Sequence, residues 1–416
     1  MVDFRKKLGK KEVEKKIIPL DIYNELDRRS ITGPLRPAQS KILDEWFNHK
    51  QKEHNLIIKL HTGEGKTLIG LLILQSKINQ GEGPCVFVCP NIYLSQQVAQ
   101  EATKFGIPYC LIEEDNNLPN DFIEGKKILI VHVQKLFNGK SIFGIDNNYI
   151  HIGSLVLDDS HACIDAIKDS FTVRIKREHS LYGEILSLFE DDLTEQGEGD
   201  FLDIRNGDYD ALLPIPYWSW IDKKSEVANL LSKYREENEL AFTWPLIKNC
   251  LEDCQAFITG NGVEILPYHI PIRSFGSFAN ANQRILMSAT TQDDSFFIKG
   301  LGFDINAIKN PLINTEQKWS GEKMILIPSL IDDSLDRDLI VSTFAKPNTK
   351  LHFGRVAIVP SHRRSEQYYV LGSTISGTKN IFTLISDLKA GNIEKTLVII
   401  NRYDGCLLYT SDAADD

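Results

Sequence analysis

The stretch NLIIKLHTGEGKTLIGLLILQSKIN, residues 55–79, joins an apolar run to a helical pattern through a turn that contains two glycines. NLIIKL predicts a buried strand, and LIGLLILQSKIN predicts the helix that follows the turn. Gly63 and Gly65 let backbone N–H groups surround phosphate oxygens at the helix N-terminus, where the helix dipole favours anions. Such a turn between a strand and a helix is typical of a P-loop, so the stretch predicts an α/β fold with a nucleotide site.

This P-loop supplies most of the residues that we expect to contact a nucleotide. Lys66 is placed to reach the β- and γ-phosphates, and the Thr67 hydroxyl can ligate Mg²⁺. Thr62 and Glu64 complete the phosphate-binding turn together with the two glycines. Leu60 stands where the general pattern has Gly or Ala, which leaves the TGEGKT core intact. The alternative, a glycine turn ahead of a core helix, leaves the register of strand, loop and helix unexplained.

Length and composition limit the class of protein. The chain has 416 residues, of which 42% are hydrophobic and 25% are charged, so it has room for two or three globular domains. No run approaches the ~20 apolar residues of a membrane span, and the basic start RKKLGKKEVEKK lacks the apolar run of a signal peptide. We therefore expect a cytoplasmic protein. The net charge of -10 argues against a generally cationic nucleic-acid coat but allows a local basic channel.

The cysteines predict reduced thiols. Seven cysteines form no paired C-x-x-C array, so a disulfide framework or a zinc ribbon is not expected. Cys250 and Cys254 lie four residues apart on a predicted helical face. This spacing is compatible with half of a metal site, but we favour buried thiols because no second pair lies nearby in sequence.

Strand and loop patterns on both sides of the P-loop carry further polar residues. Upstream, GPLRPAQSKILDEW places Arg36 and Gln39 at a helix start, and a Gln amide suits the adenine edge. Downstream, CVFVCPNIYLSQQV is a strand, a Pro-Asn turn and a helix. SLVLDDSHAC is an apolar strand that ends in two carboxylates, of which Asp158 is placed to hold Mg²⁺ and Asp159 to orient or deprotonate water. RILMSATT is a strand with a Ser-Ala-Thr exit.

The ordered series LRPAQ, TGEGKT, PNIYLSQQ, DDSH and SAT resembles the motif set of superfamily 2 helicases of the DEAD/DEAH-box type. The segments MSATTQDDSFFIKGLGFD and NRYDG are most similar to the XPD-like and DinG-like branch. The resemblance implies an α/β P-loop NTPase with two RecA-like parallel-sheet domains, the second incomplete, and a mainly helical insertion. It also implies an ATP hydrolase that works as a helicase or translocase, with ATP and Mg²⁺ as cofactors and single-stranded DNA or RNA as partner.

The same resemblance implies roles for individual residues. Lys66, Asp158, Asp159 and His161 would be catalytic, and Thr67 and Asp158 would hold Mg²⁺. Arg36 and Gln39 would bind the nucleotide, with Gln39 reading adenine. Ser288 and Thr290 would couple hydrolysis to movement. The residues that would contact the nucleic acid are Pro90, Asn91, Gln97, Ser361 and Arg402.

Two departures from the family pattern alter these expectations. Asp159 stands where the family has Glu, and a misplacement of about an ångström in a catalytic group can cost ~10²-fold in rate. This keeps open a second function, a nucleotide-gated nucleic-acid binding or sensing module without unwinding activity, for example in a defence system. The segment that carries an iron–sulfur cluster in many XPD-like enzymes has Cys110 besides Cys85 and Cys89, so we predict no cluster.

The order of the patterns divides the chain into segments. We predict a basic N-terminal extension (1–30), a first RecA-like domain (31–161 and 284–310), a helical arch-like insertion (162–283) and a second RecA-like domain (311–405). In the second domain EKMILIPSL and GRVAIVPSH read as strands. In the insertion, PIPYWSWIDKK is compatible with a stacking platform for single-stranded bases, but packing against the host domain is favoured.

The last eleven residues, CLLYTSDAADD (406–416), resemble the in-frame translation of a sequencing-library adapter. We therefore expect them to be an artefact of a longer natural chain, with impaired hydrolysis in the chain as given. The alternative is a genuine short polar tail.

Overall fold

The computed structural model describes residues 15–29, 32–61, 63–113, 116–208, 210–288, 295–314, 325–377 and 380–400. The chain divides into two compact units, Met1–Glu316 and Gln317–Asp416. This division lies close to the predicted boundary at residue 311. Within the described residues, every helix is too short or too polar to span a bilayer.

The first unit begins with a helix that lies inside the predicted N-terminal extension. This helix, α1 (Pro19–Glu25), buries Ile22 and Tyr23 in the same apolar cluster as the P-loop helix. The extension therefore contributes to the core. The elements that follow, up to residue 170, are α2 (Pro37–Glu45), a π-helical turn (Trp46–Lys50), β1 (Asn55–Lys59), α3 (Lys66–Asn79), β2 (Cys85–Cys89), α4 (Ile92–Phe105), β3 (Tyr109–Cys110), α5 (Asn120–Ile123), β4 (Ile128–His132), α6 (Val133–Leu136), β5 (Gly144–Ile145), β6 (Asn148–Tyr149), β7 (Ser154–Leu157) and α7 (Ser160–Ser170).

The insertion and the return to the first domain complete the first unit. Its remaining elements are β8 (Val173–Lys176), α8 (Ser180–Leu188), α9 (Glu190–Gln196), α10 (Glu198–Asn206), β9 (Leu212–Pro214), α11 (Tyr217–Asp222), α12 (Lys224–Lys233), α13 (Trp244–Ile247), a 3₁₀ turn (Leu251–Asp253), β10 (Cys254–Thr259), β11 (Gly262–Pro267), a 3₁₀ turn (Ile272–Ser274), α14 (Gly276–Ala279), β12 (Gln283–Ser288), α15 (Ser295–Lys299), α16 (Ile305–Lys309) and β13 (Leu312–Ile313).

A seven-stranded parallel sheet forms the centre of the first unit, in the order β13-β1-β12-β7-β2-β4-β3. Its central strands are apolar along their length because both faces are covered. Leu56 and Ile58 point into one apolar cluster, and Ile57 points into the other. Parallel pairing places the carboxyl ends of β1, β12, β7 and β2 at one edge, where the predicted motifs follow the strands.

The insertion contains a sheet that the sequence patterns did not predict. β8, β11, β10 and β9 pair in that order as a four-stranded antiparallel sheet, with helices packed around it. The expectation of an insertion built from helices was therefore incomplete. The strands were missed because they are short and pair across long separations: Ile265 lies opposite Val173.

The aromatic segment of the insertion divides between core and surface. Trp220 is buried, stacks on Phe189 with ring centroids 6.1 Å apart, and donates its indole N–H to Leu251 O at 2.7 Å. Tyr217 and Trp218 are 63% and 68% exposed. Packing within the insertion therefore explains the position of Trp220 but not the positions of Tyr217 and Trp218.

The second unit has a three-stranded parallel sheet in the order β14-β16-β15. GRVAIVPSH forms a strand as predicted, but the described part of EKMILIPSL does not. Residues 325–327 lie outside any strand, and Ile325 is 84% exposed, because no described strand lies beside this run to pair with it. The elements are α17 (Pro328–Ile331), α18 (Arg337–Ala345), β14 (Val356–Val359), α19 (His362–Val370), β15 (Thr374–Ile375), α20 (Ile381–Lys389) and β16 (Leu397–Ile400).

A buried arginine, Arg284, connects the segment that follows β12 to the parallel sheet through hydrogen bonds. Arg284, at the start of β12, donates to Asn55 Oδ1 at 2.9 Å and to the carbonyls of Leu301 and Gly302 at 3.0 and 2.9 Å. Its guanidinium lies over the rings of Phe278 and Phe303. Burial lowers the pKa of Arg284 to about 10, so the group stays charged at neutral pH.

We predict that Arg284→Met lowers the free energy of unfolding of the first unit by about 2–4 kcal/mol, because three acceptors, of which the Leu301 carbonyl is buried, lose their donor. Urea unfolding followed by far-UV circular dichroism measures this change. Arg174→Met is the control, since Arg174 is about half exposed and paired with Asp169 and Glu264, and its loss should cost less than ~1 kcal/mol. Equal losses in the two variants would contradict the role of Arg284.

Candidate nucleotide-binding site

The P-loop connects the end of β1 to the start of α3. Gly63 and Gly65 have φ values of 92° and 79°, in the left-handed region that glycine adopts most readily. A Cβ atom on Gly65 would lie 2.1 Å from Gln39 Nε2, so a side chain here would displace the Gln39 amide from the loop. The loop therefore depends on a close contact with α2.

Hydrogen bonds within the loop fix its shape. Lys66 Nζ donates to Leu60 O at 3.2 Å, and Glu64 Oε2 accepts from the backbone N–H of His61 at 2.7 Å. The N–H of Leu60 donates to Ser288 O at 3.1 Å, which ties the loop to the end of β12. The N-terminus of α3, a fourteen-residue helix, follows at Lys66. This arrangement points backbone donors and one cation at the place where phosphates are expected.

Asp158 is a half-buried carboxylate of the site. It directly follows β7, and burial raises its pKa from 3.8 to about 6. The charge of Lys66 and hydrogen bonds from the Asp159 N–H, at 3.0 Å, and the Thr67 hydroxyl act in the opposite direction. The structure thus brings together Lys66, Thr67, Asp158 and Asp159, all of which the sequence placed in the site.

Asp159 occupies a strained backbone position. Its φ of 46° and ψ of 62° are left-handed, and α7 begins at the next residue. Among residues other than glycine, Asn and Asp tolerate this conformation best, because their short polar side chains bond locally. The backbone therefore favours Asp over the longer Glu at this position.

His161 and Ser288 connect the candidate nucleotide site to the segment that follows the insertion. The His161 ring meets the Phe297 ring edge-on at 5.0 Å between centroids. Ser288 is fully buried, and neither its hydroxyl nor that of buried Ser160 has a hydrogen-bond partner among the described residues. A buried hydroxyl without a partner is costly, so both are available to a ligand or to a rearranged neighbour.

Arg36 and Gln39 contact the loop itself. Arg36 Nη1 donates to Gly63 O at 2.7 Å. Gln39 is 6% exposed, its Oε1 accepts from the Arg36 N–H at 2.9 Å, and its Nε2 donates to Glu64 O at 3.2 Å. The amide that we expected to read adenine is therefore engaged in holding the P-loop. No sequence pattern indicated this contact, which joins α2 to the P-loop.

The residues expected to contact nucleic acid differ in their exposure and in the unit to which they belong. Pro90 is buried, whereas Asn91 is exposed and caps α4 by accepting from the Leu94 N–H at 3.0 Å. Gln97 is half-buried on the same helix. Ser361 lies in the second unit, where it caps α19 through the Arg364 N–H at 3.4 Å. Thr62, Thr290 and Arg402 lie outside the described residues.

His132 lies at the carboxyl edge of the parallel sheet, where the P-loop and Asp158 also lie. We did not predict it as a site residue. It ends β4 and lies opposite Cys89, the residue before Pro90. Burial, and to a lesser extent the charge of Lys135, lowers the pKa of His132 to about 4, so the ring is neutral at neutral pH. Its position after the apolar run ILIV was the signal that could have identified it.

The donor set fits a nucleotide with Mg²⁺. Carboxylate and hydroxyl oxygens are the ligands that Mg²⁺ prefers, and Asp158 and Thr67 supply one of each. Lys66 adds a positive charge beside them. The unpartnered hydroxyls of Ser160 and Ser288 are consistent with a site whose hydrogen bonds are completed on binding.

Comparisons with known proteins found one family model and several solved structures that are similar to this chain. Residues 32–191 match the model of a family described as type III restriction enzyme, res subunit. S. tokodaii Xpd4 is similar over 88% of this chain and 80% of its own, with 14% identity and a TM-score of 0.53. A structure named XPD_Helicase is similar over 89% and 81%, with 13% identity and a TM-score of 0.48. S. cerevisiae Dbp5 bound to RNA and ADP BeF3 is similar over 88% and 70%, with 13% identity and a TM-score of 0.40.

No curated protein matches the chain. The family model covers less than half of the chain, and the likeness to Xpd4 shows the fold. The chain has a large RecA-like parallel sheet of the P-loop NTPase type, and its fold is similar to that of Xpd4.

We predict that Gly65→Ala abolishes nucleotide binding, because the new methyl group collides with Gln39 and displaces the loop. Gly81→Ala is the matched control: its φ of 78° imposes the same strain of about 1–2 kcal/mol, but no atom lies within 4 Å of the added Cβ. Titration with a fluorescent nucleotide analogue should show normal affinity in the Gly81 variant. Equal affinity in both variants would refute the steric argument.

Binding of the magnesium–nucleotide complex should depend on pH through Asp158. The raised pKa means that the carboxyl is protonated below about 6, where Mg²⁺ must compete with a proton. The Mg²⁺-dependent part of the affinity should therefore fall about tenfold per pH unit below this value and stay constant above it. Asp158→Asn should bind weakly with no such dependence. A flat profile for the unmodified protein would contradict the assignment.

Proposed function

We propose that the chain is an ATP-dependent nucleic-acid motor, a helicase or translocase that couples ATP hydrolysis to movement along a single strand. The observation that carries the proposal is the meeting of Lys66, Thr67 and Asp158 beside a P-loop at the carboxyl edge of a parallel sheet. Phosphate recognition by a loop and a lysine, with a carboxylate for Mg²⁺, is the arrangement that phosphoryl transfer from ATP requires.

Each side chain has a task in hydrolysis. The α3 N-terminus and Lys66 bind the phosphates. Thr67 and Asp158 would hold Mg²⁺, which would supply positive charge to the phosphate oxygens. Asp159 orients the attacking water and accepts its proton. Because its N–H donates to Asp158, the metal-binding and water-activating carboxylates lie on one turn of the backbone.

Coupling to movement uses the links between the P-loop and the returning chain. Leu60 is bonded to the carbonyl of Ser288, and His161 packs on Phe297. A change at the phosphates therefore reaches the end of β12 and the start of α15 through direct contacts. Asn91 and Gln97 follow the neighbouring strand β2 at the same edge and are available to the backbone of a DNA or RNA strand.

The proposal includes no iron–sulfur cluster. Cys85 and Cys89 are buried within β2, where their thiols face the protein core. Burial raises the pKa of Cys85 to about 12 and that of Cys110 to about 11, whereas cluster ligands must be thiolates. The donor set of this segment does not fit such a cluster.

Asp159 also favours a second candidate, a nucleotide-gated nucleic-acid binding or sensing module that does not unwind. An Asp side chain is one methylene shorter than Glu and reaches less far toward a water on the γ-phosphate. If hydrolysis is slow for this reason, ATP binding and release alone would switch the protein between two states of affinity for a strand.

Strand-stimulated ATP hydrolysis distinguishes the two functions. We expect single-stranded DNA or RNA to stimulate hydrolysis, with Lys66→Ala giving the background rate. Asp159→Asn should lower the stimulated rate by ~10²–10⁴-fold while nucleotide affinity is unchanged. If no strand raises the rate above the Lys66→Ala background, yet ATP and ADP give different strand affinities, the motor is refuted and the sensing module is supported.

A further inference from the structure

An open groove at the carboxyl edge of the parallel sheet shares no residue with the nucleotide site. It is formed by segments that follow β3 and β4, and its volume is about 610 Å³, within the roughly 300–1,000 Å³ typical of ligand sites. Its polar wall contains Glu113, Asn116 and Asn120, and its apolar wall contains Ile123, Ile142 and Ile150.

The two walls together fit an unpaired nucleobase. Aliphatic side chains pack against the faces of a ring, and amide and carboxylate groups bond to its edge. Asn116 Oδ1 accepts from Lys135 Nζ, which leaves the amide N–H groups of Asn116 to donate. An ionised carboxylate such as Glu113 only accepts, so it selects a base edge that donates. The exocyclic amines of adenine and cytosine are such donors, whereas thymine and uracil carry a carbonyl oxygen at that position.

A second feature, two residues away in the chain, presents an aromatic ring to solvent. Phe242 of the insertion is 51% exposed, and the exposed Lys140 has its Nζ 5.4 Å from the centre of the Phe242 ring. Gly139 fixes this pair, because its N–H donates to Phe242 O at 2.7 Å and an added Cβ atom would lie 2.5 Å from that oxygen. An exposed ring beside an exposed ammonium matches a stacked base and its phosphate.

Direct contacts connect the Phe242–Lys140 pair to the groove. Ser141 follows Lys140 and precedes Ile142 of the apolar wall, and its hydroxyl donates to Lys135 O at 3.2 Å. Lys135 in turn donates to Asn116 of the polar wall. The insertion and the carboxyl edge of the first domain therefore contribute to one connected surface.

We propose that this surface binds one unpaired nucleic-acid strand and that the groove prefers adenine and cytosine over thymine and uracil. One base enters the groove, where Glu113 accepts its exocyclic amine. Another base of the same strand stacks on Phe242, and Lys140 pairs with a phosphate. This inference rests on the proposed function, because it names the place where the strand binds and adds a base preference to it.

The affinity of short single-stranded DNA tests the base preference. With oligonucleotides of about 12 nucleotides, fluorescence anisotropy should show that the full chain binds oligo(dA) and oligo(dC) about tenfold more tightly than oligo(dT). Glu113→Gln should abolish this preference, because an amide both donates and accepts. Glu124→Gln is the matched control, since Glu124 is exposed, lies outside the groove and pairs with Lys126. A preference for oligo(dT), or a ratio that Glu113→Gln leaves unchanged, would overturn the proposal.

Two further variants test stacking and charge. Phe242→Leu should weaken the binding of every oligonucleotide by about tenfold, whereas Trp218→Leu, which removes another exposed aromatic of the insertion, should have no effect. Lys140→Gln should lower the slope of log affinity against log salt concentration by about 0.7, the contribution of one phosphate of a single strand. Lys126→Gln should leave the slope unchanged, because Lys126 is paired with Glu124.

The outcomes separate this site from the proposed motor. If a strand stimulates ATP hydrolysis but binds the Glu113, Phe242 and Lys140 variants as tightly as the full chain, the site is refuted and the motor stands. If no strand binds the full chain, both are refuted. Competition by adenosine monophosphate, together with unchanged strand affinity in Phe242→Leu, would indicate a site for a free nucleotide and would also overturn the proposal.

Discussion

The candidate site depends on a carboxylate that is partly buried before any ligand arrives. Asp158 is held at the end of β7 by the sheet, and its charge is balanced mainly by Lys66. Burial of an uncompensated charge is costly, so the P-loop lysine and the Thr67 hydroxyl are needed beside it even in the absence of nucleotide. The phosphate-binding loop and the metal-binding strand thus stabilise each other.

The parallel sheet makes this meeting possible. β1 and β7 are separated in the sheet by β12, so the loop after β1 and the carboxylate after β7 lie on either side of Ser288. Ser288, whose carbonyl accepts the N–H of Leu60, ends β12, and the chain forms β12 only after the whole insertion. Local sequence patterns predicted each strand and the residues at its end, because continuous apolar runs with a polar exit are local signals. The order of the strands in the sheet was not predicted from the sequence.

What sequence could not predict depends on contacts between distant segments. The Gln39 amide bonds to the P-loop because α2 packs beside it, and nothing in LRPAQ indicates which partner the amide finds. The insertion sheet pairs β8 with β11 across a long separation, and Arg177 of the same region donates to the carbonyls of Ile204 and Gly260. ILI at residues 325–327 has the composition of a strand, but a strand also needs a neighbour. The composition of a run does not supply a strand to pair with, so it does not by itself predict a strand.

Asp159 shows how a departure from a family pattern can have a structural cause. The chain turns sharply from β7 into α7, and the turn places this residue in the left-handed region. Asp is compatible with that backbone because its side chain is short and polar, whereas Glu gains no such local bond. The same N–H that the turn exposes donates to Asp158. The turn that holds Asp159 therefore also holds Asp158, and in the proposed mechanism a movement of Asp158 on binding Mg²⁺ would be transmitted directly to Asp159.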